Sequence, residues 1–209
     1  IASVKANGYG HGIVPVARVL ADAGVDMLAT GSFVEALALR AAGVETPVLL
    51  LAGTLPGGMG DVVAQGFIPT IIDLAGAQAV NRAVSLAATA PTDIFIKVDS
   101  GLGRVGVALD AAQGLIAEIA RLPNVIIRGL YTHLSFQDAD GLAYTEQRLA
   151  LFYDLVQRLK AAGLDIPITQ ALASSALLLG WRDDCTAVCP GHILFGLSPV
   201  SAKLAGVKP

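Results

Sequence analysis

The chain has 209 residues, of which 54% are hydrophobic and only 15% charged, and its net charge is −3. Soluble chains average roughly 25% charged residues, so much of this one is buried or faces a partner, and it is long enough for one large domain with its own core. The mildly acidic balance, with no basic stripe, argues against nucleic acid as a partner, and no apolar run reaches the ~20 residues of a membrane span. The first residue is Ile and falls inside a predicted strand. The true N-terminus is therefore expected upstream, with any targeting segment out of view. The two cysteines, Cys185 and Cys189, have neither zinc-site spacing nor the number for a disulfide framework. No metal site is expected, and a reducing, cytoplasmic home is the default.

Strand-like and helix-like patterns alternate along the chain. Residues 1–4 read as a first strand, after which Asn7, Gly8, Gly10 and Gly12 break regular structure. Residues 12–23 read as a helix, with Ile13, Val16, Ala17 and Leu20 on one face. Residues 27–30 are the second strand. Ser32 and Glu35 then stand at capping-box spacing for a helix that Gly43 ends. Residues 48–52 read as a strand buried on both faces. Pro56 opens a helix ending near Gly66, residues 68–72 are the fourth strand, and Asp73 caps the helix after it. Residues 94–98 are the fifth strand, Asp110 is expected to cap a helix ending near Leu122, and residues 125–132 are the sixth strand. A long helix follows over residues 140–161. Residues 168–172 are the seventh strand, with a short helix from Ser174. Residues 187–188 and 193–195 belong to the eighth strand or its ending turn. Eight strands with intervening helices predict an α/β fold, a (β/α)8 barrel, with its first strand and last helix expected to be incomplete. No internal repeat or linker interrupts it, so residues 1–209 read as a single domain.

Several residues fall where such a barrel does chemistry. Lys5 ends the first strand, and ligands in parallel α/β proteins sit at that end. An amine held there can lose its proton and act as nucleophile or base, or it can simply cap the strand with its head in water. The fifth strand runs into Gly101, Gly103 and Gly106, which spell GxGxxG. The dinucleotide-binding reading fails its context: no helix opens at the last glycine, and no acidic residue ends a following strand at the required distance. Arg104 lies on this loop, where its planar fork would match a carboxylate; a solvated surface arginine is the plainer reading. His133 ends the sixth strand. Ser175 starts the short helix after the seventh, where N–H groups and a hydroxyl can bind phosphate or the serine can serve as an ordinary cap.

The stretch Lys5-Ala6-Asn7-Gly8-Tyr9-Gly10-His11-Gly12 resembles the pyridoxal-phosphate signature of the alanine racemase family. That resemblance implies Lys5 as the Schiff-base lysine and the base on one face of the substrate Cα, and Tyr9 as a phosphate ligand. The stretch Lys97-Val98-Asp99-Ser100-Gly101-Leu102-Gly103-Arg104-Val105-Gly106 is close to a second motif of the family. It implies Arg104 as the grip on the substrate carboxylate, and Lys97 as a carbamylated lysine whose negative charge orients that arginine. Thr132-His133 puts His133 beneath the cofactor. Ser175 and the backbone of Gly191 and His192 would hold phosphate. There are departures. Ser174 stands where the family has asparagine, and Ala171 where a histidine is often found. Cys189 stands in place of the arginine that bonds the pyridine nitrogen and keeps it unprotonated. The resemblance runs from Lys5 to Pro199 but does not include the family's second, β-rich domain. That domain supplies a tyrosine as the opposite-face base across a homodimer; Tyr9, Tyr131, Tyr144 and Tyr153 all fall inside the barrel pattern. The implied activity is interconversion of L- and D-alanine for cell-wall precursors, on a small amino-acid substrate. The alternatives are a racemase of another amino acid, a D-amino-acid lyase, or a non-catalytic cofactor-binding barrel. The isolated chain is expected to be inactive for want of the second base.

Overall fold

The computed structural model describes residues 1–136 and 139–201. Its strands are β1 (Ala2–Ser3), β2 (Leu28–Thr30), β3 (Val48–Leu50), β4 (Ile68–Ile71), β5 (Thr92–Asp99), β6 (Val107–Ala108), β7 (Val125–Tyr131) and β8 (Ile168–Gln170). They lie parallel in the order β1-β2-β3-β4-β5-β7-β8, with the short β6 paired to β5. The ring closes through an extended segment, residues 187–190, that bonds on both sides. The Ala187 and Cys189 N–H groups donate to Thr169 and Leu172 carbonyls at 3.0 Å each. On the other side the Ile1 nitrogen donates to the Val188 carbonyl at 2.9 Å, and the Ser3 N–H to the Pro190 carbonyl at 3.0 Å. The predicted barrel is therefore present, and its eighth stave is this irregular segment. Residues 193–195, expected in the eighth strand or its turn, lie in a 3-10 helix, His192–Phe195.

Alternation along each strand decides what faces inward. Leu28, Val48 and Leu50 pack outward on Ala17, Ala36 and Leu39 of the helices Ile13–Asp22 and Phe33–Ala41. Met27, Ala29, Leu49, Ile68, Phe95 and Tyr131 fill the interior. Gly129 makes room for the Phe95 ring: a Cβ there would lie 2.2 Å from it. A larger outer layer joins β5 and β7 to the helices Leu74–Ala87, Leu109–Ile119 and Ala139–Ala161.

The helix ends follow the sequence closely. The Ser32 hydroxyl accepts from the Glu35 N–H at 3.3 Å, and Asp73 Oδ1 from the Gly76 N–H at 2.7 Å. Asp110 departs from its expected role. The helix begins at Leu109 with Ala108 as its N-cap, so Asp110 sits in the first turn, where its charge still complements the dipole. Pro56 opens a short 3-10 turn, Pro56–Gly58, that leads into the helix Met59–Ala64. No helix among the described residues is long and apolar enough to cross a membrane.

Candidate active site

The first strand is short because the chain turns at once into an unusual conformation. Ala6, Asn7, Gly8 and Tyr9 have φ of 53°, 56°, 63° and 52°, a left-handed turn that ends at Gly10. Each L-residue in that region costs roughly 1–2 kcal/mol, so something must hold it. Glu35 does: its two carboxylate oxygens accept the N–H groups of Asn7 at 2.8 Å and Gly31 at 2.9 Å. Asn7 Oδ1 in turn accepts from the Ile13 N–H at 3.0 Å, which fastens the turn to the next helix. The expected capping box is thus half a box. The serine caps the helix, while the glutamate reaches outward and pins the lysine turn. Lys5 is carried at the mouth of the barrel.

The loop after β5 is built around Asp99. Its Oδ1 accepts from the N–H groups of Gly101, Leu102 and Gly103 at 3.0, 2.9 and 3.2 Å. Burial pushes the Asp99 carboxyl up, but these bonds and nearby Lys97 together hold it below the usual range. The Tyr144 hydroxyl donates to the Gly101 carbonyl at 2.8 Å, and Arg148 Nε donates to the Ser100 carbonyl. The loop is therefore clamped from the long helix, and it carries Arg104 to the same mouth. Lys97 is buried, and its Nζ donates to the Val105 carbonyl. Burial lowers its pKa first, with Arg104 and Lys5 adding to the effect and Asp99 opposing it.

The remaining candidates come from β7, β8 and the closing stave. His133 is half-buried, and its pKa falls to about 4, through burial first and then the positive neighbours Arg104, Lys5, Lys97 and His192. It is neutral at pH 7. Ser175 is buried with its Oγ 3.4 Å from Ser135 Oγ. Ser174 Oγ accepts the Gly191 N–H at 2.9 Å and the Ile193 N–H at 3.5 Å. Tyr9 packs on Phe195 and His192, at ring distances of 4.8 and 5.3 Å. Its hydroxyl lies against Gly191, where a Cβ would come within 2.2 Å of it. Cys189 faces the cavity, and burial raises its thiol pKa.

Lys5, Tyr9, Lys97, Arg104, His133, Ser175, Cys189, Gly191 and His192 all line one cavity of about 510 Å³. That is within the roughly 300–1,000 Å³ of small-molecule sites, and it opens at the carboxyl ends of the strands. Among the described residues no cluster of His, Cys, Asp and Glu suits a metal ion. Glu35, Asp99, Tyr144 and Arg148 hold the site from behind, and Ser174, which lines the cavity, ties the closing segment to it. The sequence signalled Glu35 through its capping spacing, Asp99 as a position of the second motif and Ser174 as a departure from the family's asparagine; nothing in it marked Tyr144 or Arg148.

A family model described as "Alanine racemase, N-terminal domain" matches residues 1–199. The alanine racemase of Sorangium cellulosum is 34% identical over 209 residues, covering 99% of this chain and 55% of its own. That of Symbiobacterium thermophilum is 36% identical over 208 residues, with 100% and 55% covered. Among solved structures, an alanine racemase of Clostridium difficile 630 superimposes with a TM-score of 0.90 at 26% identity, over 100% of this chain and 58% of that one. The Corynebacterium glutamicum enzyme gives 0.83 at 31% identity, over 100% and 59%. The chain spans about half the length of the curated relatives it matches. Its barrel, the cavity at the strand ends and these matches agree: the chain belongs to the alanine racemase family and corresponds to the family's N-terminal domain.

Proposed function

We propose that this chain provides the cofactor and substrate half of a pyridoxal-phosphate-dependent alanine racemase. The observation that carries the reading is one cavity uniting a lysine amine, an arginine fork and a cradle of hydroxyls and glycine backbone. The donor set fits the cofactor. Lys5 would hold it covalently; Tyr9, Ser175 and the backbone of Gly191 and His192 would surround its phosphate. Gly191 has no Cβ, so the Tyr9 hydroxyl can lie directly over it. The Gly191 N–H already donates to Ser174, which makes it the less available of the two backbone donors. When bound, the cofactor supplies an electron sink for charge developing at Cα.

The chain's own residues divide the remaining work. Lys5 Nζ moves a proton at Cα on one face. Arg104 binds the substrate carboxylate on a loop that Asp99, Tyr144 and Arg148 keep rigid. Lys97, with its pKa lowered, has more neutral amine with which to capture carbon dioxide as a carbamate. Its negative charge would then orient Arg104. Neutral His133 adds no charge beneath the ring. The base for the opposite face comes from outside the described residues. Tyr131, Tyr144 and Tyr153 are each bonded elsewhere, to Thr70, Gly101 and Asp183, and Tyr9 is packed on the phosphate side. The family's second domain, working across a homodimer in the cytoplasm, supplies that base, and the product serves cell-wall precursors.

Cys189 favours a second reading. A neutral thiol does not repel a proton from the pyridine nitrogen as an arginine would, and a protonated ring supports other chemistry on amino acids. A racemase of a different amino acid or a D-amino-acid lyase is the consequence. An amino-acid panel with chiral product analysis separates these from alanine racemisation.

The test uses the chain loaded with pyridoxal phosphate. Borohydride should fix the cofactor to the peptide containing Lys5; label on Lys97 would overturn the assignment. In deuterated water, proton NMR should reveal Cα exchange from one enantiomer of alanine, and chiral chromatography should find little inversion. Rapid interconversion of the enantiomers would mean that the second base lies within this chain.

A further inference from the structure

Ser3 is only 4% exposed, and its hydroxyl has no hydrogen-bond partner. Among the described residues, Thr145 on the long helix is the other buried side chain in this condition. Buried hydroxyls are nearly always bonded, because an unpartnered one has lost water and gained nothing. Ser3 differs from Thr145 in lining the cavity. Its main chain is accounted for, since its N–H donates to the Pro190 carbonyl across the closing seam. Its neighbours in sequence, Ala2 and Val4, pack into the outer layer. Strand alternation therefore turns Ser3 inward, toward the cavity that Lys5 also lines.

The surroundings point to what the hydroxyl awaits. Ser3 lies beside Gly191, whose ideal Cβ would stand 3.5 Å from Ser3 Cβ and 2.2 Å from the Tyr9 hydroxyl. Ser3, Tyr9 and Gly191 thus converge on one corner. Resting on the cofactor reading above, we infer that the Ser3 hydroxyl is a further ligand of the bound phosphate, to which it donates a hydrogen bond. A phosphate offers only acceptors and a serine hydroxyl rotates freely to donate. A bond to an anion is of the stronger, charge-assisted kind.

The experiment compares wild type, Ser3→Ala and Ser3→Cys, the last nearly isosteric and a weak donor. Melting temperatures are measured without cofactor. Affinities are then measured for pyridoxal phosphate and for pyridoxal, which lacks the phosphate. Ser3→Ala should melt at or above wild type without cofactor, because nothing is lost with the hydroxyl. Its affinity for pyridoxal phosphate should fall roughly tenfold, while that for pyridoxal stays unchanged. Ser3→Cys should fall between, and it carries the comparison if the alanine variant does not fold. Unchanged affinity for pyridoxal phosphate overturns the inference. So does an equal loss for both ligands, which would put the contact on the ring. A lower melting temperature for cofactor-free Ser3→Ala overturns it too, by revealing a structural partner for the hydroxyl. If wild type takes up neither compound, the cofactor reading itself fails and this inference falls with it.

Discussion

Three side chains in the cavity have effects that can be weighed one at a time. Arg104 grips by shape, so Arg104→Lys keeps the charge and loses the fork. In the complete enzyme, kcat/KM should drop by roughly 2–4 kcal/mol of transition-state stabilisation while cofactor stays bound; unchanged kcat/KM would remove Arg104 from the site. Cys189→Arg restores a guanidinium, and the bound cofactor's spectrum should then hold steady over a wider pH range. Arginine is also much larger than cysteine, so the variant is expected to lose some stability by overpacking. An identical spectrum–pH profile in a folded, loaded variant would mean that Cys189 does not face the ring. His133 bears on folding rather than turnover. Unfolded, a histidine titrates near 6.5; in the fold this one titrates at about 4. Between those values the unfolded chain binds the proton and the folded chain does not, so stability is lost as pH falls from about 6.5 toward 4. His133→Asn should flatten that part of the acid-unfolding curve by up to about 3 kcal/mol, as followed by urea titration at several pH values. Arg104 and His133 were legible because each follows the end of a strand, and Cys189 because it stands where the family resemblance expects an arginine. Ser3 was not, since a serine inside a strand looks the same in sequence whether or not its hydroxyl is bonded.

The element most unlike its sequence reading is the turn after β1. Asn7 and the glycines at 8, 10 and 12 announced a break, but Ala6 and Tyr9 share its left-handed φ, which their own residue types do not favour. The cause lies 28 residues away, in the Glu35 carboxylate. A capping box read from spacing identified the residue and missed its reach. Glu35→Ala should therefore cost about 1–3 kcal/mol of stability and, unlike an ordinary surface change, should also loosen cofactor retention. Glu35→Gln, with one oxygen left to accept, should fall between; equal cofactor retention in all three proteins would make Glu35 a cap alone. Strand β7 provides a second case. Gly129→Ala sets a Cβ 2.2 Å from the fully buried Phe95 ring. Overpacking of about 1–3 kcal/mol or more should follow, read as a lowered melting temperature, and Phe95→Leu in the same chain should recover part of it. No sequence pattern marked Gly129, because the need for space is created by a neighbour on the adjacent strand.

At the scale of the whole molecule, the alternation of strands and helices made the barrel legible, and its final stave only in part: residues 187–188 lie in it as expected, while residues 193–195 fall in the 3-10 helix beyond it. Residues 187–190 carry a proline, and the stave has no repeating pattern because its pairing is a few bonds on either side of it. Yet this seam joins positions 187 residues apart and brings Tyr9 against Gly191. The cradle is thus assembled from the two ends of the chain. Such a contact closes a very long loop, at an entropic disadvantage against contacts closer in sequence. The order of events in folding follows from this. Trp181, the single tryptophan, packs on Phe136 at 5.3 Å, far closer in sequence than the two sides of the seam. In refolding from urea, its fluorescence should recover first and capture of pyridoxal phosphate later, so that a nascent barrel passes through a stage with its core formed and its site still open.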